Sequence, residues 1–256
     1  MNKQQTNGIQ GKPKSELWIP IAYAIFYFPT FEWLNAHNFP RYYIGCRLDD
    51  LIPFCEWFVI PYVAWFFIIP AMLLLMHSIS RPEYRELCFM LFGGMTICLL
   101  IYFLLPNGLT LRRPVSLNNW AARLVVAIRH TDQPTNVCPS IHVASSMAIF
   151  DVARSSRAMK QRFPKIRLLF LFLCPMICVS TLVVKQHSVI DVCCGILLTA
   201  VLRGGITRWH SARRAQIPSP QDDPEIYTAF AGVFWPQPSF AMLYTLLEKE
   251  YNLHGV

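Results

Sequence analysis

His187 and Asp191 stand four residues apart, the spacing that puts two side chains on one face of a helix. A carboxylate so placed accepts a hydrogen bond from one imidazole nitrogen. That fixes the tautomer and leaves the other nitrogen with a free lone pair, the form a nucleophile or base needs. A second imidazole, His142, closes the run Pro139-Ser140-Ile141-His142. Proline is favoured at a helix start, and the free N–H groups there attract anions. A third cluster, Arg112-Arg113-Pro114, offers guanidinium forks suited to phosphate. Ser180, Thr181 and Lys185 lie just ahead of His187. Taken singly, each cluster also reads as structure: a His–Asp bond at a helix start, a cap beside a buried histidine, arginines at a membrane surface. Together they hold the parts of a phosphoryl-transfer site. One imidazole attacks phosphorus, the other protonates the leaving oxygen, and cations and backbone N–H groups stabilise the equatorial oxygens. Such a site needs no metal and no cofactor.

The elements that carry these residues must sit in a membrane. Of 256 residues, 54% are hydrophobic and only 15% charged, against about 25% charged in soluble domains. Disordered, coiled-coil and nucleic-acid-binding classes are excluded by that balance. Spanning a bilayer takes about 20 mainly apolar residues. Six segments qualify or nearly qualify: Leu17–Leu34, Phe54–His77 with Pro61 and Pro70 as kinks, Leu87–Leu105, Pro139–Ala153, Leu168–Val184 and Ser188–Arg203. The fourth and sixth are short, with polar residues at their starts, and polar groups inside spans are usually functional. The expected fold is all-α, a polytopic bundle of six transmembrane helices. It divides into an N-terminal segment (residues 1–16), a membrane domain (17–205) and a C-terminal tail (206–256). In the long connection from Pro106 to Cys138, Trp120, Leu124 and Ile128 recur every four residues, the pattern of a short interfacial helix. A short amphipathic helix is expected around Phe240–Tyr251.

Six spans put both termini on one side. Of the 23 Lys and Arg, 16 fall on that side and 7 on the other. Basic loops stay cytoplasmic, so both termini are expected there and all three polar clusters on the outer face. The net charge of +8 thus reads as membrane-facing. The nine cysteines include no Cys-x-x-Cys pair; most lie in apolar segments, and Cys46 and Cys55 share a polar loop in which a disulfide is open.

The order and spacing of the motifs resemble those of the type 2 phosphatidic acid phosphatase superfamily, membrane lipid phosphatases and phosphotransferases. Its pattern is Lys-x6-Arg-Pro, Pro-Ser-Gly-His, and Ser-Arg-x5-His-x3-Asp. Arg113-Pro114 matches the end of the first motif, Pro139-Ser140-Ile141-His142 the second except at its glycine, and Ser180, His187 and Asp191 the third. The resemblance implies that His187 forms a phosphohistidine, oriented by Asp191, with His142 as general acid. Arg113, Ser140 and Ser180 would bind the phosphate. Pro106 stands at the Lys position of the first motif, and Thr181 at the Arg of the third. Arg112 and Lys185 are the available substitutes. These departures, with Asp132 and Asn136 upstream of Pro139, also resemble the inositol phosphorylceramide synthase-like branch.

The leading expectation is a metal-independent membrane enzyme hydrolysing a lipid phosphate on the extracytoplasmic face. The alternatives are transfer of a phosphoryl headgroup to an alcohol acceptor, a metal-dependent hydrolase ligated by His142, His187 and Asp191, and a silent lipid-binding or transport relative. The partners expected are a lipid phosphate or phospholipid and the membrane, not nucleic acid. No Gly-x-Ser-x-Gly elbow supports a serine hydrolase.

Overall fold

The computed structural model describes residues 16–215. Nine helices and one two-stranded ribbon appear among them, in the order α1 (Trp18–His37), β1 (Tyr42–Ile44), α2 (Arg47–Leu51), α3 (Val59–Ile79), α4 (Arg81–Leu104), β2 (Asn107–Leu109), α5 (Trp120–Thr131), α6 (Ile141–Ser155), α7 (Arg157–Arg162), α8 (Pro164–Val183) and α9 (Val189–Ala215). The chain divides after Arg203 into two units. The first contains every element up to that residue. In the second, Gly204–Ala215 continue α9 as helix. The expected helix around Phe240–Tyr251 lies outside the described residues, as does most of the N-terminal segment.

Four helical stretches are long and apolar enough to cross a membrane: Glu56–Ile79, Arg81–Leu104, Pro164–Val183 and Val189–Trp209. Their outward faces remain apolar, with Phe66, Phe67, Phe89, Phe103, Leu169 and Phe172 exposed. Helices apolar on every side belong in lipid or in a large core. The other two expected spans form helices that do not meet those limits. The first becomes α1, which carries Glu32 among its 20 residues. The fourth becomes α6, with only 15 residues, about 22 Å of rise.

The boundaries follow local chemistry. Asn119 caps α5, its side chain accepting from Ala122 N at 2.8 Å. Ser140 caps α6, accepting from Val143 N at 3.3 Å. Proline opens α8 and occupies the first turn of α4, where its missing N–H costs nothing. Helix α4 therefore starts at Arg81, six residues before the apolar run. Helix α3 continues through Pro61 and Pro70. All nine cysteines, Cys46 and Cys55 included, are free thiols.

The core is filled by Tyr62, Tyr84, Tyr102, Met72, Leu91 and Ile149, all essentially inaccessible. Helices α6 and α9 meet at Gly195. A Cβ there would lie 3.0 Å from Ser140 O and 3.0 Å from Val143 Cβ. One turn on, Thr199 Oγ1 donates to Ala144 O at 3.1 Å. The missing side chain thus lets the two helices that carry His142 and His187 lie against each other.

Candidate active site

The N-termini of α6 and α9 and the C-termini of α4 and α8 converge at one end of the bundle. The connection from Leu105 to Ser140 is held there largely by one side chain. Asn107 Oδ1 accepts from Val137 N and Cys138 N, both at 2.9 Å. Its Nδ2 donates to Leu105 O and Cys138 O, both at 3.0 Å. All four hydrogen-bonding positions of the amide are used. Strand β2 pairs in parallel with β1, and Asn136 takes a left-handed conformation, φ 57°, which Asn tolerates better than most residues. Asn136 is bonded to Asn38 and Asn35 of the α1 end; its part is architectural. Tyr102 Oη donates to Pro139 O at 2.5 Å, fixing the start of α6 against α4.

A tight turn joins α8 to α9. Thr181 O accepts from both Gln186 N (2.9 Å) and His187 N (3.1 Å), and Lys185 is left-handed, φ 59°. Asp191, fully buried in the first turn of α9, accepts from Ser188 N at 2.8 Å and from His187 Nδ1 at 3.3 Å through the same Oδ2. A carboxylate can only accept here, so Nδ1 donates and Nε2 keeps its lone pair. His142 lies in the first turn of α6, between Tyr62 and Trp65 of α3, with ring centroids at 4.7 and 4.3 Å. Trp65 is in turn held by Nε1 donating to Ser145 Oγ at 2.7 Å. The His142 and His187 rings face each other edge-on at 5.6 Å. His142 Nε2 and Asp191 Oδ1 are buried without a hydrogen-bond partner in the described structure.

Arg112 completes this group. Its guanidinium donates to Asp132 O at 2.5 Å and to the Gln186 side-chain carbonyl, and lies 3.8 Å from the Asp132 carboxylate. Burial lowers its pKa, opposed by Asp132, yet an arginine this far from neutrality stays charged. Burial pushes the Asp132 carboxyl up, against the pull of Arg112 and His187; Tyr62 Oη donates to it at 3.3 Å.

These groups line a cavity of about 420 Å³, whose other walls include Phe28, Phe31, Glu32 and Phe66. The cavity brings His187, His142 and Arg112 together, with Asp191 behind His187. The remaining sequence-derived residues lie elsewhere. Ser140 is buried and caps α6. Ser180 Oγ is buried and donates to Ile177 O at 2.6 Å. Arg113, its side chain 88% exposed, and Lys185 face a second cavity across the Arg112–Arg113 connection and the 185–187 turn. Of the two adjacent arginines, Arg112 lines the histidine cavity and Arg113 the second one. Tyr62, Trp65 and Gln186 are cavity residues the sequence reasoning missed, since only the packing of α3 and the turn geometry bring them in. Among the described residues, no three His, Cys, Asp or Glu side chains converge as metal ligands.

No curated protein matches the chain at a significant level. The family model described as the PAP2 superfamily matches residues 86–215, just over half of the chain, and takes in α4 almost entire and every residue of the His142–His187–Asp191–Arg112 group. The chain, with helices fit to cross a membrane, belongs to the PAP2 superfamily, of the phosphatase and phosphotransferase kind.

Proposed function

We propose that this protein is a membrane lipid phosphatase that works through a phosphohistidine on His187. The observation that carries the reading is the buried His187–Asp191 pair facing His142 at 5.6 Å inside a cavity with a guanidinium at one side and aromatic walls at the other. His187 Nε2 attacks phosphorus; the P–N bond forms as the bond to the lipid oxygen breaks. His142 gives its proton to that oxygen. Water then attacks the phosphohistidine, His142 takes its proton, and the P–N bond breaks to release phosphate. Arg112, oriented by Gln186 and Asp132, holds the non-bridging oxygens. Phe28, Phe31 and Phe66 give the lipid chain an apolar wall.

The bundle is read as six spanning helices, α1, α3, α4, α6, α8 and α9, with α5 at the interface. Support comes from the charge distribution. Arg81, Arg85, Arg154, Arg157, Lys160, Arg162, Lys165 and Arg167 gather at helix ends opposite the histidines, which favours a cytoplasmic assignment for that end and an extracytoplasmic site.

Transfer to an alcohol is the second reading. It shares the intermediate, and it is favoured by Asp132, Glu32 and Thr135, which line the cavity beyond what one phosphate engages. The test is to quench the purified protein during turnover of a ³²P-labelled lipid phosphate, with and without alcohol. An acid-labile, base-stable label on wild type that is absent from His187→Ala supports the reading. Turnover with no label on the protein overturns it. Label that leaves as an alcohol ester rather than phosphate assigns transfer.

A further inference from the structure

The second cavity, about 780 Å³, lies behind the histidine turn. It draws its cations from three separate segments: Arg113 from the connection after β2, Arg129 from α5 and Lys185 from the turn before α9. The two half-buried cations, Lys185 and Arg129, are both fixed, and fixed by neutral atoms. Lys185 Nζ donates to Asp49 O and Ile52 O, both at 2.5 Å. Arg129 donates to Arg113 O at 2.7 Å and to Val184 O at 3.1 Å, and its guanidinium sits 5.5 Å from the Phe54 ring centroid. Among the described residues, neither Lys185 nor Arg129 has a carboxylate within ion-pair distance. Two aspartates also line the cavity, and both are engaged. Asp49 accepts from Ser188 Oγ, Val189 N and Cys46 N at 2.7–2.8 Å. Asp50, exposed, lies 4.0 Å from Arg113. Neutral partners orient a charge without cancelling it, so three cations against two carboxylates leave the cavity with an excess of one positive charge.

We infer that this cavity is a second anion site, for a phosphate group carried on a lipid headgroup or free in solution, separate from the histidine cavity. Its volume is within the range of small-ligand pockets. Its floor adjoins the turn that carries His187, so a phosphate held there would lie one wall away from the reacting one. The inference needs no chemistry at His187 and is tested without it.

Cys46 lines this cavity and no cysteine lines the other, so its thiol reports occupancy of this site alone. The full chain carrying His187→Ala is alkylated with a maleimide in detergent at fixed ionic strength, and Cys46 labelling is followed by peptide mass spectrometry. The additions are inorganic phosphate or dihexanoyl phosphatidate, with chloride as control. Either phosphate compound should slow labelling at least fivefold; which one does so assigns the source. Arg129→Gln should raise the half-protecting concentration about tenfold, the loss of one charge-assisted hydrogen bond. Arg113→Gln, at an exposed position whose change leaves the fold intact, should raise it about threefold. Arg112→Gln should leave it unchanged. Labelling insensitive to both compounds overturns the proposal. So does protection that is lost with Arg112→Gln and kept with Arg113→Gln.

Discussion

The two ends of the helix bundle handle charge in opposite ways. At the end where α4 begins and α6 finishes, close ion pairs predominate. Arg203 bridges Glu86 and Asp151, Arg154 lies 3.2 Å from Asp151, Ser156 Oγ bonds Glu83, and Arg85 pairs with Glu16. At the histidine end the ion pairs are long, 3.8 Å for Arg112–Asp132 and 4.0 Å for Arg113–Asp50, and some buried polar groups keep unused capacity. Arg112 rests on a backbone carbonyl and an amide, His142 is held by two aromatic faces, and Asp191 keeps one oxygen without a partner. Saturated charge binds helices together. Unused hydrogen-bonding capacity is what the proposed phosphate would complete.

Four substitutions would break or sharpen this contrast. The largest effect is expected for Asp191→Asn. It keeps the shape but no longer holds the His187 tautomer, and turnover of a short-chain lipid phosphate should fall about 10³–10⁴-fold. Retention of more than a tenth of the activity would detach Asp191 from the chemistry. Next, Arg203→Leu should act on stability alone. Leaving Glu86 without Arg203, and Asp151 with Arg154 alone, should cost about 2 kcal/mol in detergent unfolding, while turnover changes less than twofold. A matching loss of turnover would mean that the two ends are not independent.

Arg112→Lys comes third. A lysine keeps the charge and loses the fork, so kcat/KM should drop about 30-fold with thermal stability nearly unchanged. Full rescue by lysine would show that only the charge matters there. The smallest effect is expected from Asp49→Asn, at about 1.5 kcal/mol of stability. Burial raises the Asp49 carboxyl, but hydrogen bonds from Val189 N, Cys46 N and Ser188 Oγ outweigh it and hold its pKa below the usual value. Its stabilisation is therefore present above about pH 4 and lost as pH falls through the folded-state value. Unfolding of the variant should show a flatter acid limb than wild type.

The sequence made some of this legible and not the rest, for physical reasons. Helix α5 was readable because Trp120, Leu124 and Ile128 mark one face of a helix; its cap, Asn119, came only with the structure. The i, i+4 relation of His187 and Asp191 was readable because it is local. The start of α4 was not, since Arg81 and Glu83 break the apolar run that a span is recognised by. Choosing between Arg112 and Arg113 was beyond the sequence, because neighbouring residues in a loop differ only in which way they point. Lys185 read as a phosphate ligand from its position, whereas its ammonium lies on the carbonyls of Asp49 and Ile52, more than 130 residues away in the chain. Tyr62, Trp65 and Asp49 carry no motif. They enter through packing between segments far apart in sequence.

Gly195 sets more than a close contact. It lies two helical turns beyond His187, and on α6 it meets Ser140 and Val143, which bracket His142. Widening at the crossing by a fraction of an ångström, as a methyl group there would force against Ser140 O and Val143, would displace His142 directly and reach His187 along the first two turns of α9. The spacing of the two imidazoles is therefore set in part by a residue that has no side chain of its own.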